Sequence, residues 1–253
     1  MKSIELFAGI GGIALAAEWA GIETVAFCER EPFCQRVLKK HWPDVPIFDD
    51  VCTLDRKTLE GKGVIGPDGT VDIISGGFPC QPYSIAGKRK GTEDDRDLWS
   101  EMFRIIEGIK PRWVVGENVA NFVNMELDRT LSDLESIGYK GQSFIIPAAA
   151  VGAVHRRDRV FVVAHSNSQY VQRSSKKEIQ RQLALQRQLP YGRAEEWSRR
   201  SNEFESKLCR SINGFPRGVD RLRGIGNAVV PQQIYPIFKS IMEIEKGAIT
   251  HAK

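Results

Sequence analysis

The chain has 253 residues, 42% of them hydrophobic and 27% charged, with a net charge of +4 and five cysteines. That balance excludes a collagen-like, disordered or small disulfide-stapled protein and fits a globular chain large enough for one main domain and a small lobe. No apolar run approaches the roughly 20 residues of a membrane-spanning helix, and no basic-then-apolar leader opens the chain, so a cytoplasmic protein without a membrane partner is expected.

The first half alternates in the βαβ manner. Residues 3–8 read as a strand. The glycine turn Phe7-Ala8-Gly9-Ile10-Gly11-Gly12 follows, and 13–20 read as a helix. Glycines there let backbone approach a ligand at a helix N-terminus. Ala14 stands where the last glycine of G-x-G-x-x-G would fall, so a nucleoside without a pyrophosphate fits at least as well as a dinucleotide. Residues 24–28 make a second strand, ended by Glu29. Its carboxylate could accept ribose hydroxyls or simply start the next helix. That helix covers 31–41, with Pro32 in its first turn. A short strand lies near Ile47, and the glycine-rich stretch 60–69 reads as a loop.

Residues 71–75 form the next strand. Two glycines and Pro79-Cys80-Gln81 follow, which presents a thiol at the strand's C-terminal end. Open α/β sheets hold their ligands there. A free thiol is mostly protonated at neutral pH and needs nearby positive charge to become a nucleophile. Lys88, Arg89, Lys90 and Arg96 stand in a loop hinged by Gly87 and Gly91, as in active-site lids. An inert packing role suits Cys34 and Cys52 better than Cys80, which has Pro79 and Pro82 beside it. The odd cysteine count and the lack of a CxxC pair argue against disulfides or a metal site.

A helix over 97–109 precedes the strand 113–116, which Glu117 ends. Desolvation at the mouth of a sheet should raise that carboxyl's pKa and let it share a proton near neutral pH. A helix over 121–137 and strands at 144–146 and 160–164 complete this half. His155-Arg156-Arg157-Asp158-Arg159 leads into the last strand. Strand alternation puts Arg157 and Arg159 on one side. Two guanidiniums there could clamp a phosphate, a pyrimidine carbonyl or Glu117, or merely decorate a charged strand entrance. The expected fold is α/β: a mostly parallel, doubly wound, Rossmann-like sheet.

The character changes after residue 164. Residues 166–210 are polar, with a helix expected over 179–189, ended by Pro190 and Gly192. Residues 166–224 hold 13 Lys/Arg and 6 Asp/Glu, a net of +7, which leaves −3 on the rest. Such a segment suits a polyanionic partner, or a solvated surface insertion. Residues 213–224 are turn-like, and 232–245 read as a final amphipathic helix.

Taken in order, these motifs resemble those of the DNA (cytosine-5) methyltransferases, especially the phage and prophage type. The resemblance is carried by Phe7-Ala8-Gly9-Ile10-Gly11-Gly12, by Glu29 and Asp50, and by Gly77-Phe78-Pro79-Cys80-Gln81-Pro82-Tyr83-Ser84. Glu117-Asn118-Val119, Arg157-Asp158-Arg159 and Gly226-Asn227-Ala228-Val229-Val230-Pro231 complete it. It implies a class I S-adenosylmethionine methyltransferase sheet, S-adenosyl-L-methionine as methyl donor and no metal. It implies double-stranded DNA as partner, with a companion restriction endonuclease or a recognition subunit. By resemblance, Cys80 adds to C6 of a flipped cytosine, Glu117 meets N3, and Arg159, supported by Arg157, holds the base and orients Glu117. Donor contacts fall to Phe7, Ala8, Gly9, Ile10, Gly11 and Gly12. Glu29 and Arg30 lie at the ribose and Asp50 and Val51 at the adenine. Gly77, Pro79 and Leu98 line the pocket, which Asn227, Ala228 and Val229 close. Gln81, Ser84, Lys88 and Arg89 face DNA.

The implied organisation is a catalytic domain over 1–165, a short basic target-recognition segment over 166–221, and a C-terminal motif and helix over 222–253 that packs back on the catalytic domain. The recognition interval is shorter than the family's, and His155 and Ala86 stand where the family commonly has Gln and a small polar residue. Two other readings remain: a non-catalytic or partner-dependent DNA-binding relative, and an RNA cytosine-5 methyltransferase.

Overall fold

A computed structural model describes residues 1–67, 69–79, 98–153, 156–166 and 228–251. The stretch around Cys80, the loop to residue 97 and the basic segment with its expected 179–189 helix lie outside the described residues.

Seven strands form one sheet in the order β3-β2-β1-β4-β5-β7-β6. They are β1 (Lys2–Leu6), β2 (Glu23–Cys28), β3 (Ile47–Phe48), β4 (Ile73–Gly76), β5 (Trp113–Val119), β6 (Lys140–Pro147) and β7 (Asp158–His165). The first five are mutually parallel. β7 is antiparallel to both of its neighbours, β5 and β6. The sheet is therefore mostly parallel, as the alternating apolar runs predict.

Among the described residues the α-helices are α1 (Gly12–Ala20), α2 (Pro32–His41), α3 (Arg56–Gly61), α4 (Trp99–Ile109), α5 (Leu127–Ser136) and α6 (Pro231–His251). They divide between the two faces of the sheet. One core joins Ile4, Leu6, Ile74, Val114 and Val162 to α4 through Trp99, Met102, Ile105, Ile106 and Ile109, with Leu59 of α3 and Leu134 of α5. The other joins Ile73, Trp113, Val115, Phe161 and Val163 to Ile13, Ala16 and Ala17 of α1 and to Ile234, Ile237, Phe238 and Ile241 of α6. Odd and even strand residues go to opposite cores, because side chains alternate across a pleat. The α6 residues recur at the three- and four-residue spacing of one helical face. Burying each contributes roughly 1.5–3 kcal/mol relative to exposure, which fixes the C-terminal segment beside α1.

Several boundaries differ from the sequence-based expectation. α3 occupies part of the expected 60–69 loop. Its N-cap is Asp55, whose Oδ1 accepts from the backbone N–H of Thr58 at 2.7 Å. At six residues it is too short to display helical periodicity. The expected 121–137 helix is split into a 3₁₀ turn (Ala120–Asn124) and α5. β5 runs three residues past Gly116, and β6 is eight residues long rather than three. In both cases pairing with β7 extends the strand through polar residues that hide it in the sequence.

Candidate active site

Because β1 to β5 are parallel, their C-terminal ends share one rim of the sheet. The order reverses between β1 and β4, and such a switch point opens a crevice. The predicted donor-site residues gather along it: 7–12 after β1, Glu29 and Arg30 after β2, Asp50 and Val51 after β3, and Gly77 and Pro79 after β4.

The glycine turn is bent by three residues in the left-handed region, Phe7 (φ 54°), Gly9 (φ 55°) and Gly11 (φ 86°). Glu29 staples it. One carboxylate oxygen accepts from the N–H of Gly9 and the other from the N–H of Glu31, both at 2.7 Å. Each oxygen keeps a further acceptor site, so Glu29 can hold the turn and still receive hydroxyl donors. Gly12 opens α1, and a Cβ there would stand 2.4 Å from the carbonyl oxygen of Val229. The glycine thus lets the C-terminal segment approach the turn. Ala8 and Val51 are buried, whereas Ile10, Asp50, Leu98 and Ala228 are half-buried and Arg30 and Pro79 are exposed. Asp50 Oδ1 accepts from the N–H of Cys52 at 2.9 Å. Asn227 lies outside the described residues, as do Cys80, Gln81, Ser84, Lys88 and Arg89.

Glu117 lies inside β5 rather than at its end. Register pairs Glu117 with Phe161 and Val119 with Arg159, so Glu117 and Arg159 are diagonal neighbours on one face. Arg159 Nε donates to Glu117 Oε1 at 2.7 Å, with both side chains largely buried. Burial pushes the Glu117 carboxyl above its usual range, and the charges of Arg159 and Arg157 pull against that rise. The other oxygen, Oε2, lies 3.0 Å from where a Cβ on Gly77 would sit. The glycine that follows β4 therefore leaves room for the carboxylate.

Arg157 departs from the expected alternation. It precedes β7, with φ 33°, so it does not share a strand face with Arg159. Its Nη2 donates to the carbonyl of Ala228 at 2.8 Å. It still bears on Glu117 electrostatically, while burial and the like charge of Arg159 lower its own pKa.

Three features escaped the sequence reading. Asn118 is buried and its Nδ2 donates to the carbonyl of Phe78 at 3.0 Å, which ties β5 to the turn two residues before Cys80. Only its place between Glu117 and Val119 could have marked it. Gln233, in the first turn of α6, is fully buried and reaches across to the Arg157 carbonyl. Glu5, in β1 beneath the glycine turn, is also fully buried, and neither of its oxygens has a hydrogen-bond partner among the described residues. Burial drives its carboxyl well above the usual range. The N–H groups of Ala14 and Ile13 oppose the shift without forming well-aligned hydrogen bonds.

The described cysteines are poor nucleophiles. Burial and then Glu29 push the Cys28 thiol up to about 12 and the Cys34 thiol to about 11. The Cys52 thiol is also raised, by desolvation and then Asp50. Among the described residues, no group of three or more His, Cys, Asp or Glu side chains could hold a metal ion, and no helix is long and apolar enough to cross a membrane.

The chain is similar to several known proteins. The Type II methyltransferase M.PspPI of Psychrobacter sp. is 37% identical over 167 residues, covering 63% of this chain and 38% of that one. M.HhaI of Haemophilus parahaemolyticus is 33% identical over 177 residues, 68% of this chain and 51% of its own. The chain thus spans about half the length of such relatives, or less. A crystal structure of a DNA modification methyltransferase encoded within an E. coli prophage superposes with a TM-score of 0.60 at 23% identity, over 70% of this chain and 49% of the other. Spodoptera frugiperda DNMT2 superposes with a TM-score of 0.56 at 23% identity, over 68% and 52%. These two likenesses establish the shared fold. A family model described as C-5 cytosine-specific DNA methylase matches residues 1–215. With most of the chain inside that match, the protein belongs to the C-5 cytosine-specific DNA methylase family.

Proposed function

We propose that the chain moves a methyl group from S-adenosyl-L-methionine to C5 of a flipped cytosine in double-stranded DNA. The observation that carries this reading is the buried Glu117–Arg159 pair facing the Gly77 turn that leads to Cys80. The rim also suits the donor. Glu29 keeps acceptor capacity beside a glycine turn at a helix N-terminus, and Val51 adds apolar surface. Phe7 to Gly12, Glu29, Asp50 and Val51, with Leu98 and Val229, would hold that donor; when bound it supplies an electrophilic methyl group on a sulfonium.

C5 of cytosine is too weak a nucleophile to take that methyl group unaided. Addition of the Cys80 thiolate to C6 forms a carbon–sulfur bond and moves the ring's π electrons toward C5 and N3. Glu117 gives N3 a proton, which a carboxyl of raised pKa still carries nearer neutral pH. Arg159 fixes the carboxyl's orientation and compensates charge when the proton has left. C5 would then take the methyl group, whose bond to the sulfonium sulfur breaks to leave a neutral thioether. Loss of the C5 proton to solvent, return of the N3 proton to Glu117 and expulsion of the Cys80 thiolate restore the aromatic ring and the starting nucleophile. The loop after Cys80, with Gln81, Ser84, Lys88 and Arg89, would face the DNA. The basic segment over 166–221 would supply phosphate contacts, which position a protein without reading sequence. A companion endonuclease or recognition subunit would complete the system.

DNA bearing 5-fluorocytosine, incubated with donor and the chain, tests this directly. The expected result is a covalent adduct at Cys80, because fluorine cannot leave C5 as a proton does. A chain that methylates ordinary DNA yet forms no such adduct would refute the covalent route. Cys80→Ser should abolish methyl transfer and leave donor binding nearly intact. Methylation of tRNA with none of duplex DNA would replace the substrate assignment.

A further inference from the structure

We infer that Gln233 is a positioning residue for the Glu117–Arg159 pair, acting from α6 through the backbone that leads into β7. The inference rests on the proposed methyl-transfer role of Glu117.

Gln233 has one amide nitrogen with two protons, and both are used. Nε2 donates to the carbonyl of Ile146 at 2.6 Å and to the carbonyl of Arg157 at 2.9 Å. These acceptors lie on different segments. Ile146 belongs to β6 and is the register partner of Arg159. Arg157 precedes β7 in the left-handed region, where a residue with a Cβ is strained unless its surroundings hold it. One side chain therefore clamps the β6 residue opposite Arg159 and the backbone two residues before it.

The orientation of the amide follows from its neighbours. Two carbonyl oxygens can be met only by donors, so the nitrogen must face them. The opposite atom, Oε1, is buried and has no partner among the described residues. The amide is thus placed for its protons, at the expense of its oxygen. A residue kept only for packing would not need that arrangement, since an apolar side chain of similar length fills the same space without an orphaned oxygen. The same segment grips Arg157 a second time, through the carbonyl of Ala228.

The consequence falls on Glu117. The charged groups that bear on it are Arg159, at the start of β7, and Arg157, just before β7. On the β4 side its Oε2 faces the uncharged Gly77. Releasing the Gln233 clamp loosens both guanidiniums at once, while the donor-site residues on β1, β2 and β3 stay in place.

The test is the titration of the Glu117 carboxyl carbon by NMR in the isotopically labelled full chain, in wild type and in Gln233→Met. Met keeps the length and removes both donors. The expected midpoint in the variant lies higher by about half a pH unit or more. The rate of methyl transfer should fall about tenfold with donor affinity held within about threefold. Gln233→Asn keeps the amide but shortens its reach, so its midpoint should fall between the two; it also serves if the Met variant does not fold. A folded variant whose Glu117 midpoint equals that of wild type overturns the inference. So does a loss of donor affinity equal to the loss of rate, which would mark a general structural role. The titration needs no turnover. A wild-type chain that fails to methylate cytosine would sink the functional reading and leave the Gln233 result decisive on its own question.

Discussion

The two ends of β5 both carry a carboxylate, an arginine and buried aromatic surface nearby, yet they are built differently. At the N-terminal end, Glu245 of α6 accepts from Trp113 Nε1 at 2.8 Å and from Arg112, and Arg112 also pairs with Asp72. Tyr139 donates to the carbonyl of Pro111, and His165 packs against Trp113 with ring centroids 4.3 Å apart and a tilt of 59°. Arg112 is about half exposed, so the ion pair contributes little. The hydrogen bond to buried Trp113 is the stronger part of the contact. At the C-terminal end, Glu117 and Arg159 are both drier, and the carboxyl is held above its usual range despite two cations. The first end is an anchor that holds α6. The second is a desolvated pair whose carboxyl is held above its usual range, an arrangement that costs stability.

Substitutions break or sharpen that contrast. Glu117→Gln should bring the largest effect, a loss of about 10²–10⁴-fold in the rate of methyl transfer, with donor affinity and melting temperature nearly unchanged. The pH profile tests the same residue. A raised native pKa keeps the proton on to higher pH than in an ordinary carboxyl and releases it as pH rises through that value, so any alkaline limb of the rate due to Glu117 should vanish in Glu117→Gln. The next effect is expected from Gly12→Ala, whose new Cβ must push back the Val229 carbonyl. Calorimetry should show donor affinity weakened by about tenfold or more, since roughly 1.4 kcal/mol of misfit is enough. At the anchor the signature reverses. Glu245→Gln should cost about 1–2 kcal/mol of stability in denaturant titration and leave the rate per folded molecule unaltered. An equal loss of rate would show that the two ends are coupled.

Glu5 gives the smallest and most specific test. Its native pKa is raised, so the folded state holds its proton longer than the unfolded state does. Its contribution is complete below the unfolded carboxyl pKa and is lost as pH rises through the native value. Part of the drop in melting temperature between pH 5 and pH 8 should therefore disappear in Glu5→Gln.

What the sequence made legible was local. Strands β1, β2 and β4 read as apolar runs because both of their faces are covered, and the glycine turn and Pro79-Cys80 stand at strand ends that pattern alone can find. Glu117 was picked out for its place, yet its strand was cut short. Asn118 and Val119 interrupt the apolar run, and only the non-local ladder with β7 keeps them extended. Arg157 was placed on the wrong footing for a similar reason. Its left-handed backbone depends on contacts from Ala228 and Gln233, more than seventy residues away. Glu29 was chosen as a ribose acceptor, but its hold on the Gly9 amide exists only once two parallel strands lie side by side.

The reversal of β7 has a consequence for the rest of the chain. Its first residues stand by Glu117, and its last, His165, lies against Trp113 at the far rim. The described chain leaves the sheet at that rim and resumes at Ala228, back beside Arg157. The sequence between them thus joins two points on opposite rims of the sheet, and each point is held by its own contacts, His165 against Trp113 and Ala228 against Arg157.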